Sequence, residues 1–334
     1  MGLALAGLLV GLSGKGGLHL NPAIVSTKLA VPLVRMVCYL AVGLFIGQLI
    51  ESLGWTGKLA RVVRPMTRWA NLKRESGAAF VSSFVSGIVA NTMLMNAYKQ
   101  DKISRTELIF TYLLDNGLPM YLVHLPTTFF IVTSLAGRAG FIYLGITFVA
   151  ACFRSVTALI GARIILSPDD SSAAPSTDQA ERDKSQLMIS IFFRFRDRFT
   201  RLLLYAVPIY ILVFLLNQWG LFFGLRKFIS GWISTDLFPI ESASVIIFTF
   251  AAEFSSGMAA AGALVDAGSL TPKLAGLALI IGTIVSTPIR AIRHQLPTHS
   301  GIFSLGLAGE LLFLGQGFRV LTLIIISIPY AIWG

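Results

Sequence analysis

Charge is what this sequence has least of. Only 13% of its 334 residues are Asp, Glu, Lys or Arg, about half the share usual in a soluble domain, and an ordinary water-soluble globule is thereby excluded. Cysteine is nearly absent as well. Cys38 and Cys152 both sit inside apolar runs, so neither a disulfide framework nor a CxxC metal pair is available. A phosphate-binding P-loop is missing too, because Gly14-Lys15 follows Ser13 without the GxxxxGKS/T spacing. The four histidines form no HxxxH or HExxH pair, and a metal site would have to be assembled from distant segments. No cofactor, no metal and no enzymatic activity are expected.

Apolar residues make up 55% of the chain and the mean hydropathy is +0.76. A spanning helix needs roughly 20 apolar residues, which leaves room for about eight to ten. The expected fold class is therefore all-α and polytopic, and the first expected partner is the lipid bilayer. The net charge of +11 does not point to nucleic acid, since the cations gather at the ends of apolar runs as cytoplasmic loops require. Trp55, Trp69, Trp219, Trp232 and Trp333 also lie near run ends, where indoles anchor at the interface.

Along the chain, residues 1–30 form an N-terminal apolar segment too short in Met1 to Leu12 for a span and lacking the basic start of a signal. A first span is expected from Val31 to Leu53. Lys58 to Arg74 mixes six Lys and Arg with Leu59, Val62, Val63, Met66 and Trp69, the pattern of an interfacial helix. Gly77 to Tyr98, rich in small residues, is expected to be a second span. Thr106 to Leu135 is interrupted at Asp115-Asn116-Gly117-Leu118-Pro119 and again at His124-Leu125-Pro126-Thr127, which predicts a broken or re-entrant helix. Gly140 to Leu166 is expected to span. Residues 167–186 are too polar to bury and rich in Ser and Pro, the composition of a flexible linker outside the bilayer. The second half, 187–334, repeats the plan, with spans expected at Leu202 to Trp219 and Ser242 to Val265 and a break at Ser286-Thr287-Pro288.

That plan is an internal repeat. Phe84-Val85-Ser86-Gly87 matches Phe254-Ser255-Ser256-Gly257, and Leu125-Pro126-Thr127 matches Leu296-Pro297-Thr298. Leu135-Ala136-Gly137 matches Leu307-Ala308-Gly309, and Phe153-Arg154 matches Phe318-Arg319, all in one order at offsets of 165 to 172. The basic connection at Lys58 to Arg74 has only Arg226 and Lys227 in its counterpart. Cation asymmetry of this kind places the two connections on opposite faces, which predicts an inverted repeat.

These residues resemble the Gate-domain family, also called nucleoside recognition domain proteins. Leu59-Ala60-Arg61-Val62-Val63-Arg64-Pro65 and Leu125-Pro126-Thr127-Thr128 make the first half similar to spore maturation protein A. Arg293-His294-Gln295-Leu296-Pro297 with Leu307-Ala308-Gly309 makes the second half similar to spore maturation protein B. The resemblance covers most of residues 31–166 and 240–334. It implies two membrane-embedded Gate units, a class similar to the permease parts of bacterial ferrous-iron and concentrative nucleoside transporters, in a multi-pass protein of a prokaryotic cytoplasmic membrane. The chain departs from the pattern by fusing both halves, and without a P-loop the GTPase-linked iron route does not apply.

The candidate substrate-binding residues are the polar side chains at the interruptions. Arg290, Arg293 and His294 follow Pro288 at i, i+3, i+4 and can share one face. That face could hold an anion by charge-assisted hydrogen bonds or snorkel to headgroups. His124, His294 and His299 flank the LPT elements and could serve structural hydrogen bonds, a proton or a metal. Glu253, in mid-span, could take a proton or cation, or pair with Arg154 or Arg319. Asp115 and Asn116 stand at the first break, Ser286 at the second, and Thr127 and Thr298 offer hydroxyls. The favoured expectation is a permease moving a small polar, preferably anionic, solute between two broken helices with a coupling proton or cation. A non-transporting membrane assembly protein is the alternative, an intramembrane metal enzyme a weaker third, and a homo-oligomer is left open.

Overall fold

A computed structural model describes residues 25–52, 65–167, 195–197, 199–200, 203–204, 207–208, 210–212, 214–215, 239–251 and 254–333. Residues 1–24, the basic stretch 58–64, the linker 168–186, most of the expected span at Leu202 to Trp219, Arg226 with Lys227, and Glu253 lie outside them.

Every element among the described residues is helical. After a π-helical turn at Ser26–Ala30 come α1 (Val31–Ser52), α2 (Arg74–Ser83), α3 (Gly87–Lys99), α4 (Arg105–Asp115) and α5 (Leu118–Ile165). The second half holds α6 (Ile240–Ala251), α7 (Phe254–Asp266), α8 (Pro272–Arg290), a π-helical turn at Ala291–Gln295, α9 (Leu296–Ser300) and α10 (Leu305–Trp333). Among the described residues three stretches are long and apolar enough to cross a membrane: Arg105–Ile165, which joins α4 and α5, then α8 and α10. Their outward side chains are those a lipid solvent demands. Phe141, Val156 and Ile164 on α5 and Phe313, Leu321 and Ile328 on α10 are all more than half exposed, an arrangement water would penalise.

The two expected spans at 77–98 and 242–265 are instead pairs of half-length helices. With 10 and 13 residues in α2 and α3, and 12 and 13 in α6 and α7, each helix is about 15–20 Å long and too short for a hydrocarbon core of about 30 Å. The members of each pair pack on one another. The repeated motif marks the boundary in both. Phe84 ends α2 and Ser86 caps α3, its hydroxyl accepting from Val89 N at 3.4 Å, while Phe254 opens α7. Small residues read as a helix–helix interface were rightly placed near a close contact, but the contact lies within the segment.

The chain divides into two compact units. Met1–Val42, Val132–Ile142 and Phe199–Gly282 form the first. In it α6 and α7 close tightly because Gly257 faces Thr249, where a Cβ would overlap the threonine Oγ1. Gly262 likewise lies against the Leu135 carbonyl oxygen. Tyr210 is buried and its hydroxyl donates to Asp266 Oδ2 at 2.8 Å.

Gly43–Ile131, Tyr143–Arg198 and Thr283–Gly334 form the second unit. Here α4 packs on both α2 and α3, and Leu72, Phe80, Phe84, Leu114, Leu159 and Ala162 share one core. A second core gathers Leu94, Leu108, Tyr112, Phe303 and Leu311. Ser104 caps α4 by accepting from Glu107 N, and Glu107 Oε1 accepts from Lys73 N at 2.8 Å, which ties the start of α2 to α4.

The expected interruption at Asp115 to Pro119 is present, since α4 ends at Asp115 and α5 starts at Leu118. The expected one at His124 to Thr127 is not. The helix runs through Pro126 and turns only at Gly137, whose φ of 52° and ψ of −126° are outside helical space and suit a residue without a Cβ. Proline removes one donor, a small loss in a helix of 48 residues. In the second half, α8 likewise contains Pro288, and the ladder loosens into the π-helical turn immediately after Arg290.

Replacing Gly262 by Val drives side-chain atoms into the Leu135 carbonyl. It should cost about 1–3 kcal/mol, read as a lower unfolding midpoint of the detergent-solubilised protein. Gly145→Ala, where nothing lies within 4 Å, should leave that midpoint unchanged.

Candidate functional site

Breaking a helix inside an apolar environment frees backbone donors and acceptors that water cannot reach. At the α4–α5 junction these groups are taken up by two consecutive residues of the same long helix. Arg154 Nε donates to the Asn116 carbonyl at 3.1 Å, and Ser155 Oγ accepts from Leu118 N at 2.7 Å. Asn116 closes α4, its own amide donating to the Tyr112 carbonyl at 2.9 Å. Gly117 lies so close to Ser155 that a Cβ would overlap the serine hydroxyl. The break is thus held open by a specific set of hydrogen bonds.

Asp115 sits at this junction and is 6% exposed. Both carboxylate oxygens are fully buried and neither has a hydrogen-bond partner among the described residues. Ser83 stands beside the carboxyl, yet its hydroxyl donates to the Phe80 carbonyl at 2.6 Å. One helical turn earlier, the Tyr112 hydroxyl bonds His299 Nε2 at 3.0 Å, and His299 Nδ1 lies 2.9 Å from the Gln295 carbonyl. A carbonyl only accepts, so Nδ1 carries the proton; in the neutral ring Nε2 then accepts from the tyrosine. Gln316 Nε2 donates to Gln295 Oε1 at 2.7 Å. This chain of bonds connects α4, α9, the π-helical turn and α10.

The remaining expected site residues are distributed unevenly. Thr127 and Ser286 donate to carbonyls of their own helices, His124 O and Thr283 O, and Thr298 donates to His294 O in the π-helical turn before it. Thr127 and Ser286 are buried, whereas His124, His294 and Thr298 are exposed. Arg290 is half-buried on the face of α8 that also carries Thr283, Ser286 and Thr287, and Thr283 Oγ1 donates to the Tyr143 hydroxyl at 3.3 Å. Arg293 belongs to the π-helical turn. No hydrogen bond links Thr127 or Thr298 with Asp115 or Arg290 among the described residues.

Residue patterning did not select Tyr112, Ser155, Gln295, Gln316 or Thr322, and it named Arg154 and Arg319 only as partners for Glu253. Arg154 is 6% exposed and makes no ion pair among the described residues; its second bond runs from Nη1 to Thr322 Oγ1 at 3.2 Å. The usable signal was the repeated Phe-Arg, an ionisable residue in mid-span in both halves. Glu310, after the second LAG, pairs with Arg105 at 2.5 Å.

With that geometry in view, the chain is similar to three proteins of Methanocaldococcus jannaschii. It is 24% identical to the uncharacterized protein MJ0871 over 307 residues, 91% of this chain and 95% of that one. To the uncharacterized protein MJ0880 it is 22% identical over 281 residues, covering 81% and 88%, and to the uncharacterized protein MJ1556 25% over 289, covering 84% and 89%. No family model and no solved structure matches. The likeness to MJ0871 thus runs along nearly the whole length of both chains.

Ser155→Ala should strand the Leu118 N–H. A loss of about 1–3 kcal/mol is expected, with faster hydrogen exchange confined to residues 117–121 rather than spread over α5.

Proposed function

We propose that the chain is an integral membrane permease of the Gate type, built from two inverted repeats in a multi-pass fold, that moves a small polar solute past the α4–α5 break. The observation that carries this reading is Asp115. A buried carboxyl group whose neighbouring hydroxyl, Ser83, donates to the Phe80 carbonyl instead is costly when charged, and an incoming proton or cation removes that cost. Such a group is what solute coupling requires, and a structural role would have left it bonded. The half-length helix pairs α2–α3 and α6–α7, one from each repeat, support the reading as well, since discontinuous helices are the usual way transporters expose backbone groups to a solute. The Gate resemblance, with its permease relatives, agrees with both.

The test is solute uptake into proteoliposomes under an imposed proton or sodium gradient, across a panel of small polar and anionic compounds. Wild-type protein should concentrate at least one of them. Asp115→Asn should abolish gradient-driven accumulation while equilibrium exchange of the same solute persists. If no solute moves, the permease reading fails and the membrane assembly protein takes its place. If Asp115→Asn accumulates solute as well as wild type, Asp115 is not the coupling group.

A further inference from the structure

Hydrogen bonds gather the loops of the second unit at one end, and cations with them. Asn71 Nδ2 donates to the Arg163 and Leu166 carbonyls at 3.3 and 2.9 Å, and Asn71 Oδ1 accepts from Arg163 Nη1 at 2.5 Å, so the residues before α2 are fastened to the last turn of α5. Lys73 Nζ donates to the Lys102 carbonyl at 3.2 Å and Lys73 N to Glu107 Oε1 at 2.8 Å, which brings the start of α2 to the loop after α3 and the first turn of α4. Lys102 N in turn donates to the Ala97 carbonyl in the last turn of α3. Arg105 pairs with Glu310 near the start of α10. Lys73, Arg74, Lys99, Lys102, Arg105 and Arg163 therefore stand at one pole, all exposed except the half-buried Lys73. Just before Asn71, Arg68 is exposed beside Met66 and Trp69, whose apolar surface is about half exposed. The far end is different. There α5 turns back on itself, with the Tyr121 hydroxyl donating to the Leu144 carbonyl at 2.9 Å, and α10 runs on past Thr322 to an exposed Trp333. Residues 118–131, 143–153 and 320–333 contain no Lys or Arg.

Both outer ends of the α2–α3 pair, Arg74 and Lys99, lie at the basic pole. The tip between them is deep, because Phe84 shares a core with Leu114, nine residues or about 14 Å along α4 from Arg105. The pair thus goes in and comes out on one side. An excess of Lys and Arg marks the cytoplasmic side of a membrane protein, whatever acids accompany it, and the anionic headgroups there attract exposed ammonium and guanidinium groups whose stems lie on apolar surface. Arg74, Lys99 and Lys102 make no ion pair among the described residues and are available to such headgroups. We infer that the basic pole of the second unit is its cytoplasmic face, seated on anionic phospholipid headgroups, and that α2 and α3 form a re-entrant hairpin dipping into the membrane from that side. The α2–α3 tip then stands between the cytoplasm and the α4–α5 break. This orientation goes beyond the permease reading and holds whether or not a solute moves.

In full-length protein carrying Cys38→Ala and Cys152→Ala, Arg74→Cys and Lys99→Cys are introduced singly and labelled with a membrane-impermeant maleimide. Right-side-out and inverted membrane vesicles are compared, with detergent-permeabilised vesicles setting full reaction. Both cysteines should react in inverted vesicles and stay largely unreacted in right-side-out ones. Lys102→Cys gives the same reading should either variant fail to accumulate. If both react only in right-side-out vesicles, the basic pole is external and the orientation is overturned. If they react from opposite sides, α2 and α3 cross the membrane and the re-entrant hairpin is overturned. For the headgroups, wild-type protein purified in maltoside from membranes containing phosphatidylglycerol and phosphatidylethanolamine should retain the anionic lipid in preference. A variant with both Lys99→Gln and Lys102→Gln should retain several-fold less of it at an unchanged unfolding midpoint. Equal retention by the two proteins would overturn the docking on anionic headgroups.

Discussion

An interrupted helix in an apolar setting survives only if its freed backbone groups find partners within the protein, and the organisation of the second unit follows from that need. Arg154 and Ser155 meet it at the α4–α5 junction, one through its guanidinium and the other through its hydroxyl. Both come from the far limb of α5, so the break forms only once the long helix has turned at Gly137 and come back. The same arginine then reaches α10 through Thr322. Arg154 thus ties the junction to both α5 and α10.

With the junction fixed, the polar groups around it fall into two kinds. Tyr112, His299, Gln295 and Gln316 are mutually bonded and link four elements, which makes them a framework. Asp115 has no hydrogen-bond partner among the described residues. A stability argument accounts for the first kind but not for the second, because burying an unpaired carboxyl only costs free energy.

The paired short helices are where reading by composition fell short. Gly77 to Tyr98 and Ser242 to Val265 have the length, apolarity and small residues of a span, and nothing local in Phe84-Val85-Ser86-Gly87 forces a turn. Whether such a segment crosses or folds back depends on whether its two limbs have a better surface in each other than in a neighbour. Gly257 against Thr249 answers that for the second half, and the answer requires the packing. The proline at Pro126 misled for a related reason. A proline predicts one lost hydrogen bond, and the energy of one bond is small against the rest of a helix of 48 residues.

By itself the sequence determined the apolar character of the chain, the helical fold of the described residues and a break at Asp115 to Pro119, because these depend on composition and on backbone chemistry local to a few residues. Which side chains hold that break was decided by the tertiary structure alone. Arg154 and Ser155 stand 38 and 37 positions from the Asn116 carbonyl and the Leu118 N–H that they bond, and no local rule says which of many mid-helix polar residues will meet a distant break. Only the return of α5 after its turn at Gly137 brings them to the junction.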